Sequence, residues 1–284
     1  MTRLKRQGVM LAVPADEKKI ANLGSSFFFQ PKLNGERGLT EVFEGHPVVV
    51  SSYANSFEFL DNIKSGIMDA WKATGMKIPF DGEVYKHGWS RERIDSALRR
   101  TVNYNPDVEE LEYHIFDIKL PIPQVERLLL LDIVFDKLGD HPVLKKVPTY
   151  SATQNNWMQM VDIFLELGFE GGMFRNKNYP TYEARRLVRQ MLKYKPSEKD
   201  EYTIMHITEA MSQTGECKGM VGAFLVQGND GVQFNVGAGK LTHDKRKEYW
   251  QIWEQLIGKT LITKQGKILT TEGIPTCTVA VEIK

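Results

Sequence analysis

Cysteine is nearly missing from this chain: Cys217 and Cys277 are the only two in 284 residues. They are too few and too far apart for a disulfide framework or a thiolate zinc site, so they read as ordinary residues of a reducing compartment. Long apolar runs are missing too. Nothing approaches the roughly 20 apolar residues of a membrane span, and the basic start, Met1 to Leu11, lacks the apolar stretch of a secretory signal. The six histidines show no metal-ligand spacing. There is no internal repeat, no low-complexity segment, and no large charge of one sign, the formal net charge being +1. The expectation is a soluble, monomeric, cytoplasmic protein whose partners are not announced by its overall charge.

With 42% hydrophobic and 26% charged residues, the chain can bury one large core or two modest ones, and two domains is the better reading. Strand patterns rich in aromatic and β-branched residues fall at Phe27–Leu33, Gly38–Phe43, Pro47–Ser52, Phe80–Lys86, Glu112–Leu120, Gly171–Arg175 and Val188–Lys195. Amphipathic helices lie between them. One carries Phe59, Ile63, Ile67 and Ala70, with Ser56 as its expected cap and Gly75 as its stop; another runs from Thr153 to Leu167 and stops at Gly168. The pattern breaks at Lys195-Pro196-Ser197-Glu198-Lys199-Asp200, a hinge-like boundary that divides the chain into 1–197 and 198–284. Beyond it, strands at Tyr202–Ile207, Met220–Gln227, Val232–Val236 and Thr278–Ile283 with a helix near Asp244–Ile257 suit a small β-barrel. Basic residues cluster at Arg185, Arg186, Arg189, Lys193 and Lys195, and again at Lys240, Lys245, Arg246 and Lys247, either of which could face phosphates or merely solvent.

Five segments occur in a definite order: Lys32-Leu33-Asn34-Gly35-Glu36-Arg37, Phe80-Asp81-Gly82-Glu83, Tyr113-His114-Ile115-Phe116-Asp117, Glu170-Gly171-Gly172-Met173-Phe174-Arg175, and Lys193-Tyr194-Lys195. A lysine is a nucleophile only when neutral, and its reference pKa of about 10.4 keeps it charged unless its surroundings disfavour the cation. Lys32 ends a strand before an Asn-Gly turn, where Arg37, Lys193 and Lys195 can converge on it, and Gly35 would let the backbone approach a ligand. Lys193 and Lys195 alternate along one strand and share a face. Glu83 and Glu170 offer hard oxygen ligands of the kind Mg²⁺ takes at phosphoryl-transfer sites.

This set resembles the motifs of the covalent nucleotidyltransferase superfamily, which comprises DNA ligases, RNA ligases and mRNA capping enzymes, and is most similar to the compact bacteriophage-type ATP-dependent DNA ligases. The resemblance spans residues 30 to 195 and implies an α+β nucleotidyltransferase domain, ATP-grasp-like with antiparallel sheets and flanking helices, followed by an OB-fold barrel. It implies that Lys32 attacks the α-phosphorus of ATP and carries AMP, that Arg37 contacts the ribose side, that Phe116 stacks on adenine, and that Gln30 accepts from the adenine amino group. Leu33, Glu83, Lys193 and Lys195 complete the nucleotide site, the two lysines at the α-phosphate and its leaving group. Glu83 and Glu170 would hold Mg²⁺ or Mn²⁺. Nicked duplex DNA would meet Asn34, Arg185 and Arg186, with Lys240, Lys245 and Arg246 of the barrel on its phosphates. Such an enzyme serves DNA replication, repair or recombination in the cytoplasm of a bacterial or phage-infected cell.

The sequence departs from the ligase pattern in several places. Asn34 stands where aspartate is usual, Ser52-Tyr53-Ala54-Asn55 occupies a segment that commonly holds an arginine, and the last residues, Thr276 to Lys284, lack an arginine-bearing terminal motif. Only a short segment precedes Lys32, which disfavours the nicotinamide-dependent ligases. Two alternatives stay open: an RNA ligase sharing the first step, and a nick-binding clamp disabled by Asn34. Gly258-Lys259-Thr260 imitates the end of a phosphate loop but fails on spacing, with Trp253 where a glycine is needed. Tyr249, Trp250, Trp253 and Ile257 share a helical face and are expected in the core, with Gly258 stopping the helix.

Overall fold

The computed structural model describes residues 8–266, 269–270 and 272–284, so the basic start of the chain lies outside the described residues. Contacts divide these residues into two compact units, one ending at Lys195 and the other beginning at Pro196. In chain order the strands of the first unit are β1 (Val13–Pro14), β2 (Ser26–Pro31), β3 (Glu36–Phe43), β4 (His46–Ser51), β5 (Phe80–Tyr85), β6 (Glu112–Ile118), β7 (Leu144–Lys146), β8 (Tyr150–Thr153), β9 (Gly172–Arg175) and β10 (Met191–Tyr194). Its helices are α1 (Glu17–Ala21), α2 (Asp61–Thr74), α3 (Arg91–Leu98), α4 (Gln124–Leu138) and α5 (Trp157–Glu166).

Two five-stranded sheets result, ordered β1-β10-β9-β2-β8 and β4-β3-β5-β6-β7. Both are antiparallel except where β1 joins β10 and β6 joins β7. The first sheet is built on alternation: Phe27 and Phe29 of β2 are buried and meet Phe174 of β9 with ring centroids 5.2 and 4.7 Å apart. Burying each such ring contributes about 1.5–3 kcal/mol. The second sheet buries Val84, Tyr113 and Ile115 against Ile63, Ile67, Ala70 and Trp71 of α2, which recur at helical spacing.

The second unit is a closed barrel, β11-β12-β13-β15-β14, from β11 (Ser197–Met211), β12 (Cys217–Gln227), β13 (Gln233–Gly237), β14 (Thr260–Gly266) and β15 (Val279–Ile283), with α6 (His243–Gln251) and α7 (Trp253–Leu256). Closure removes exposed strand edges. Both the α+β layering and the barrel agree with the sequence reading.

Several details differ. Ser56 does not cap α2: it bridges Val50, and the helix starts at Asp61 behind Leu60, which makes no side-chain cap. Gly75 does end it, at φ 71°, a left-handed conformation that glycine adopts without Cβ strain. Ser197 to Asp200, read as hinge, are strand residues paired with Gly266 to Thr263, because a fifteen-residue β11 continues the barrel up to the boundary. The expected single helix near Asp244–Ile257 breaks at Ile252, while Tyr249, Trp250 and Trp253 do pack on the barrel core; Ile257 is exposed. Strand β14 went unread because its inward positions include polar Thr263 and Gln265, which hide the alternation. Gln265 is held inside by Asp200 (3.1 Å) and the Tyr202 hydroxyl (2.9 Å).

Candidate active site

Both sheets of the first unit contribute to one cleft of about 330 Å³, lined by Lys32, Glu83, Phe116, Glu170, Arg186 and Lys193 among others. The position of Lys32 is fixed by backbone. Its N–H donates to Gly171 O and its C=O accepts from Glu170 N–H, both at 2.9 Å, so the residue after β2 is stitched to the residues before β9. That pairing brings the Lys32 ammonium onto Glu170 Oε2; Nζ also donates to Leu33 O at 3.2 Å. Lys195 takes the other oxygen, Oε1. One carboxylate therefore bridges two ammonium groups. Burial alone would lift the Glu170 pKa, but Lys32 and Lys195 outweigh it through charge and hydrogen bonds, and the carboxyl stays below the ordinary glutamate range. Lys193, on β10, is pulled below the usual lysine value by burial, then by the nearby charges of Lys32, Lys195 and Arg186.

Glu83 is the opposite case. Burial dominates and pushes its pKa up to about 7, although Lys32, Arg37 and Arg91 pull the other way. No hydrogen bond or ion pair reaches its carboxyl among the described residues, so it is a half-buried acid without a directly bonded counter-cation. Such a donor, together with Glu170, fits a divalent cation that takes one or two carboxylates and completes its shell with phosphate and water. Among the described residues no group of three or more His, Cys, Asp or Glu gathers to hold a metal unaided.

Gly35 has a different task from the one expected. A Cβ there would lie 2.4 Å from Val84 O and 2.8 Å from Glu83 Cγ, so its missing side chain lets the Lys32 loop press against β5, while Gly35 also lines the cleft. Asn34 and Leu33 line the cleft beside it, Leu33 with its side chain in the core.

The floor of the cleft is a buried ionic network. Phe116 has two guanidinium groups within cation–π range, Arg37 at 5.3 Å and Arg175 at 5.0 Å from its ring centroid. Arg175 donates to Gln30 Oε1 (2.6 Å) and to Asp117 Oδ2 (2.8 Å); fully buried Arg127 donates to Asp117 Oδ1 (2.8 Å). Arg37 grips Asp81 with two nitrogens (2.8 and 2.5 Å) and donates its third to Met10 O (2.6 Å). Tyr182 donates to Asp81 (2.7 Å) and accepts from Met10 N–H (3.1 Å).

Two expectations change as a result. Gln30, 1% exposed, spends its amide oxygen on Arg175 and its Nε2 on Phe116 O and Thr149, so its geometry positions Arg175 and the ring instead of reading an adenine edge. Arg37 does not converge on Lys32, because all its nitrogens are committed to Asp81 and Met10. Among the other predicted residues, the structure gathers Lys32, Glu83, Phe116, Glu170, Lys193 and Lys195 around one cleft. Arg186 lines it too, donating to Ala12 O, whereas Arg185 turns outward to Glu183. Lys240, Lys245 and Arg246 belong to the barrel unit, where Arg246 donates Nε to Val221 O (2.7 Å) and so fastens α6 to β12.

Sequence reasoning missed the network partners. Asp81, Asp117 and Arg175 sat inside quoted motifs with no role assigned; a charged residue at an inward strand position was the available signal. Arg127, Tyr182 and Met10 had no local signal, being joined to the site only by long-range packing.

The first unit sets a carboxylate-bridged lysine in a cleft between two mixed sheets, and a closed barrel follows it in the chain; this is a nucleotidyltransferase-plus-OB type of fold. Residues 214–284 match the family model of the DNA ligase OB-like domain. A DNA ligase of African swine fever virus is 24% identical over 264 residues, covering 87% of this chain; the chain spans 60% of that relative's length. Among solved structures, a Lig E DNA ligase superposes with TM-score 0.78 at 20% identity, covering 98% of this chain and 99% of its own. The ATP-dependent DNA ligase of bacteriophage T7, solved with ATP, gives TM-score 0.55 at 13% identity, with 98% of each chain covered. The fold is that of the ATP-dependent DNA ligases, as the order of the motifs implied. No described helix is long and apolar enough to cross a membrane.

Proposed function

We propose that this chain is an ATP-dependent DNA ligase that seals nicks in duplex DNA through a lysyl-AMP intermediate on Lys32. The observation that carries the reading is the convergence of Lys32, Glu170, Lys195 and Lys193 on one cleft beside the Phe116 ring. In the first step the Lys32 nitrogen bonds to the α-phosphorus of ATP as the bond to pyrophosphate breaks. In the second, an oxygen of the DNA 5′-phosphate bonds to the AMP phosphorus and Lys32 leaves. In the third, the 3′-hydroxyl attacks the activated 5′-phosphorus and AMP departs.

The chain's own residues supply position and charge. Glu170 holds the Lys32 ammonium in line with the cleft until substrate enters, and Lys193 and Lys195 place positive charge where phosphoryl charge develops. Phe116, steadied by Arg37 and Arg175, offers a flat face for the adenine. Glu83 and Glu170 are the residues that would hold Mg²⁺ or Mn²⁺, which would neutralise triphosphate charge. Asn34, Arg185 and Arg186, with Lys240, Lys245 and Arg246 on the barrel, are offered as DNA contacts, the last through the part of its guanidinium not bonded to Val221. The protein would act as a monomer in the cytoplasm. Incubation with α-labelled ATP, followed by peptide mapping, tests the assignment: label belongs on Lys32 and is lost in Lys32→Ala. An adduct that survives that substitution would refute it.

A further inference from the structure

Ser90 caps the start of α3, accepting from Arg93 N–H at 3.2 Å, and so sets Arg91 at the first helical position beside the cleft. Its guanidinium is braced on one edge. Nη2 pairs with Glu36 and Nε lies 3.1 Å from Asp95, while Nη1 has no partner among the described residues. Arg99, two turns on and mostly exposed, meets the same two acids with one nitrogen, its Nη2 2.9 Å from Glu36 and 3.4 Å from Asp95; Nε and Nη1 have no partner among the described residues. Glu36 thus accepts one hydrogen bond from each guanidinium, with Asp95 within ion-pair distance of both, and the other guanidinium N–H groups stay available to a ligand. Fixed planar donors of this kind suit a phosphate.

The location matters as much as the geometry. Lys32, Glu170, Lys193 and Lys195 belong to β2, β9, β10 and their flanks, all in one sheet. Arg91 is delivered beside Glu36 and Glu83 of the other sheet, and it lines the same cleft as Ser52. The segment Ser52-Tyr53-Ala54-Asn55 brings no cation of its own, and Tyr53 lies within electrostatic reach of Arg99. The lysine cluster lies on the first sheet and Arg91 brings a cation to the same cleft from the facing sheet, where a second phosphate could be met apart from the first.

We propose that Arg91, seconded by Arg99, binds the terminal 5′-phosphate of the nicked strand and presents it to the adenylate on Lys32. This rests on the nick-sealing reading above. The ligand is a terminal phosphate, and the two sources of that chemistry, the DNA end and the triphosphate, are separable by step. Full-length wild type, Arg91→Ala, Arg99→Ala and Arg91→Lys would be compared in three measurements: labelling of Lys32 by α-labelled ATP, single-turnover AMP transfer from pre-labelled protein to a nicked duplex, and binding of nicked duplexes ending in 5′-phosphate or 5′-hydroxyl. In Arg91→Ala, labelling stays within about twofold of wild type, while AMP transfer falls about 10- to 100-fold, the weight of hydrogen bonds to a charged group. Its preference for the 5′-phosphate duplex over the 5′-hydroxyl one collapses. Arg99→Ala shows a smaller loss, and Arg91→Lys, which keeps the charge beside Glu36, recovers part of the preference without any folding defect to confound it. The proposal is overturned if Arg91→Ala transfers AMP as wild type does, if both duplexes lose affinity equally, or if labelling falls as far as transfer, which would assign the site to the triphosphate. A wild-type chain that takes no label at all would instead bring down the nick-sealing reading.

Discussion

Glu83 should make the first unit less stable as pH rises from mildly acid to neutral, the reverse of what most paired carboxylates do. Lifting its carboxyl from the ordinary 4.5 to about 7 corresponds to about 3 kcal/mol of preference for the protonated form when folded. Below pH 4.5 both folded and unfolded chains hold the proton, and the cost is absent. Between pH 4.5 and 7 the folded chain keeps a proton that the unfolded chain releases, so stability falls with rising pH; above 7 the full cost is present. Glu83→Gln removes the charge while keeping the shape. At pH 8 it should raise the unfolding temperature of the first unit by roughly 6–12 °C, using 2–4 °C per kcal/mol for a unit of this size, and at pH 4.5 it should change it little. Calorimetry across pH 4.5–8.5 reads this directly. Mg²⁺ added at pH 8 should stabilise wild type more than Glu83→Gln, because only the former has a carboxylate wanting a cation. A difference between the two proteins that is the same at both ends of the pH range would refute the reasoning.

Three further outcomes are expected. Arg127→Met, which strips a fully buried guanidinium from Asp117, should cost about 3–5 kcal/mol in urea unfolding, because it leaves buried negative charge under-compensated. Gly35→Ala should destabilise the protein by about 1–3 kcal/mol and slow labelling of Lys32, since the new methyl meets Val84 O and must push the loop off β5. Phe116→Leu should raise the ATP concentration needed for half-maximal labelling about tenfold or more, the scale of one base–aromatic stack, with the unfolding temperature nearly unchanged.

The residues that the structure gathers at the cleft were legible in sequence because they sit in short motifs whose order resembles that of the ligases. Lys32 before a turn, Glu83 within a strand, Glu170 just before one and Lys193 with Lys195 are local patterns, and the strands that carry them were readable from their aromatic and β-branched residues. Helices α3 and α4 were not read. The first is short and heavily charged, and the second blurs its period with four consecutive leucines, Leu128 to Leu131, while burying Gln124 and Arg127. Gln30 shows the limit of position-by-position inference. The resemblance implied a base-reading amide there, and the structure shows its hydrogen bonds made with Phe116, Thr149 and Arg175, residues 86 to 145 positions away.

The sequence by itself determined the alternation of strands and helices, the division into two units and their order, through periodicity and a break in it; the fold family and the choice of Lys32 as the candidate nucleophile came from the resemblance of its ordered motifs to the ligases. Only the tertiary structure decided which charges neutralise which. Glu170 is held between Lys32 and Lys195, Asp117 between Arg127 and Arg175, and Arg37 is turned away to Asp81, while Glu83 is left half-buried with no direct partner among the described residues and Arg91 is carried to the cleft by a helix. Coulomb energy and desolvation depend on separations in space of a few ångströms, and those are set by strand pairing between segments that the chain keeps far apart.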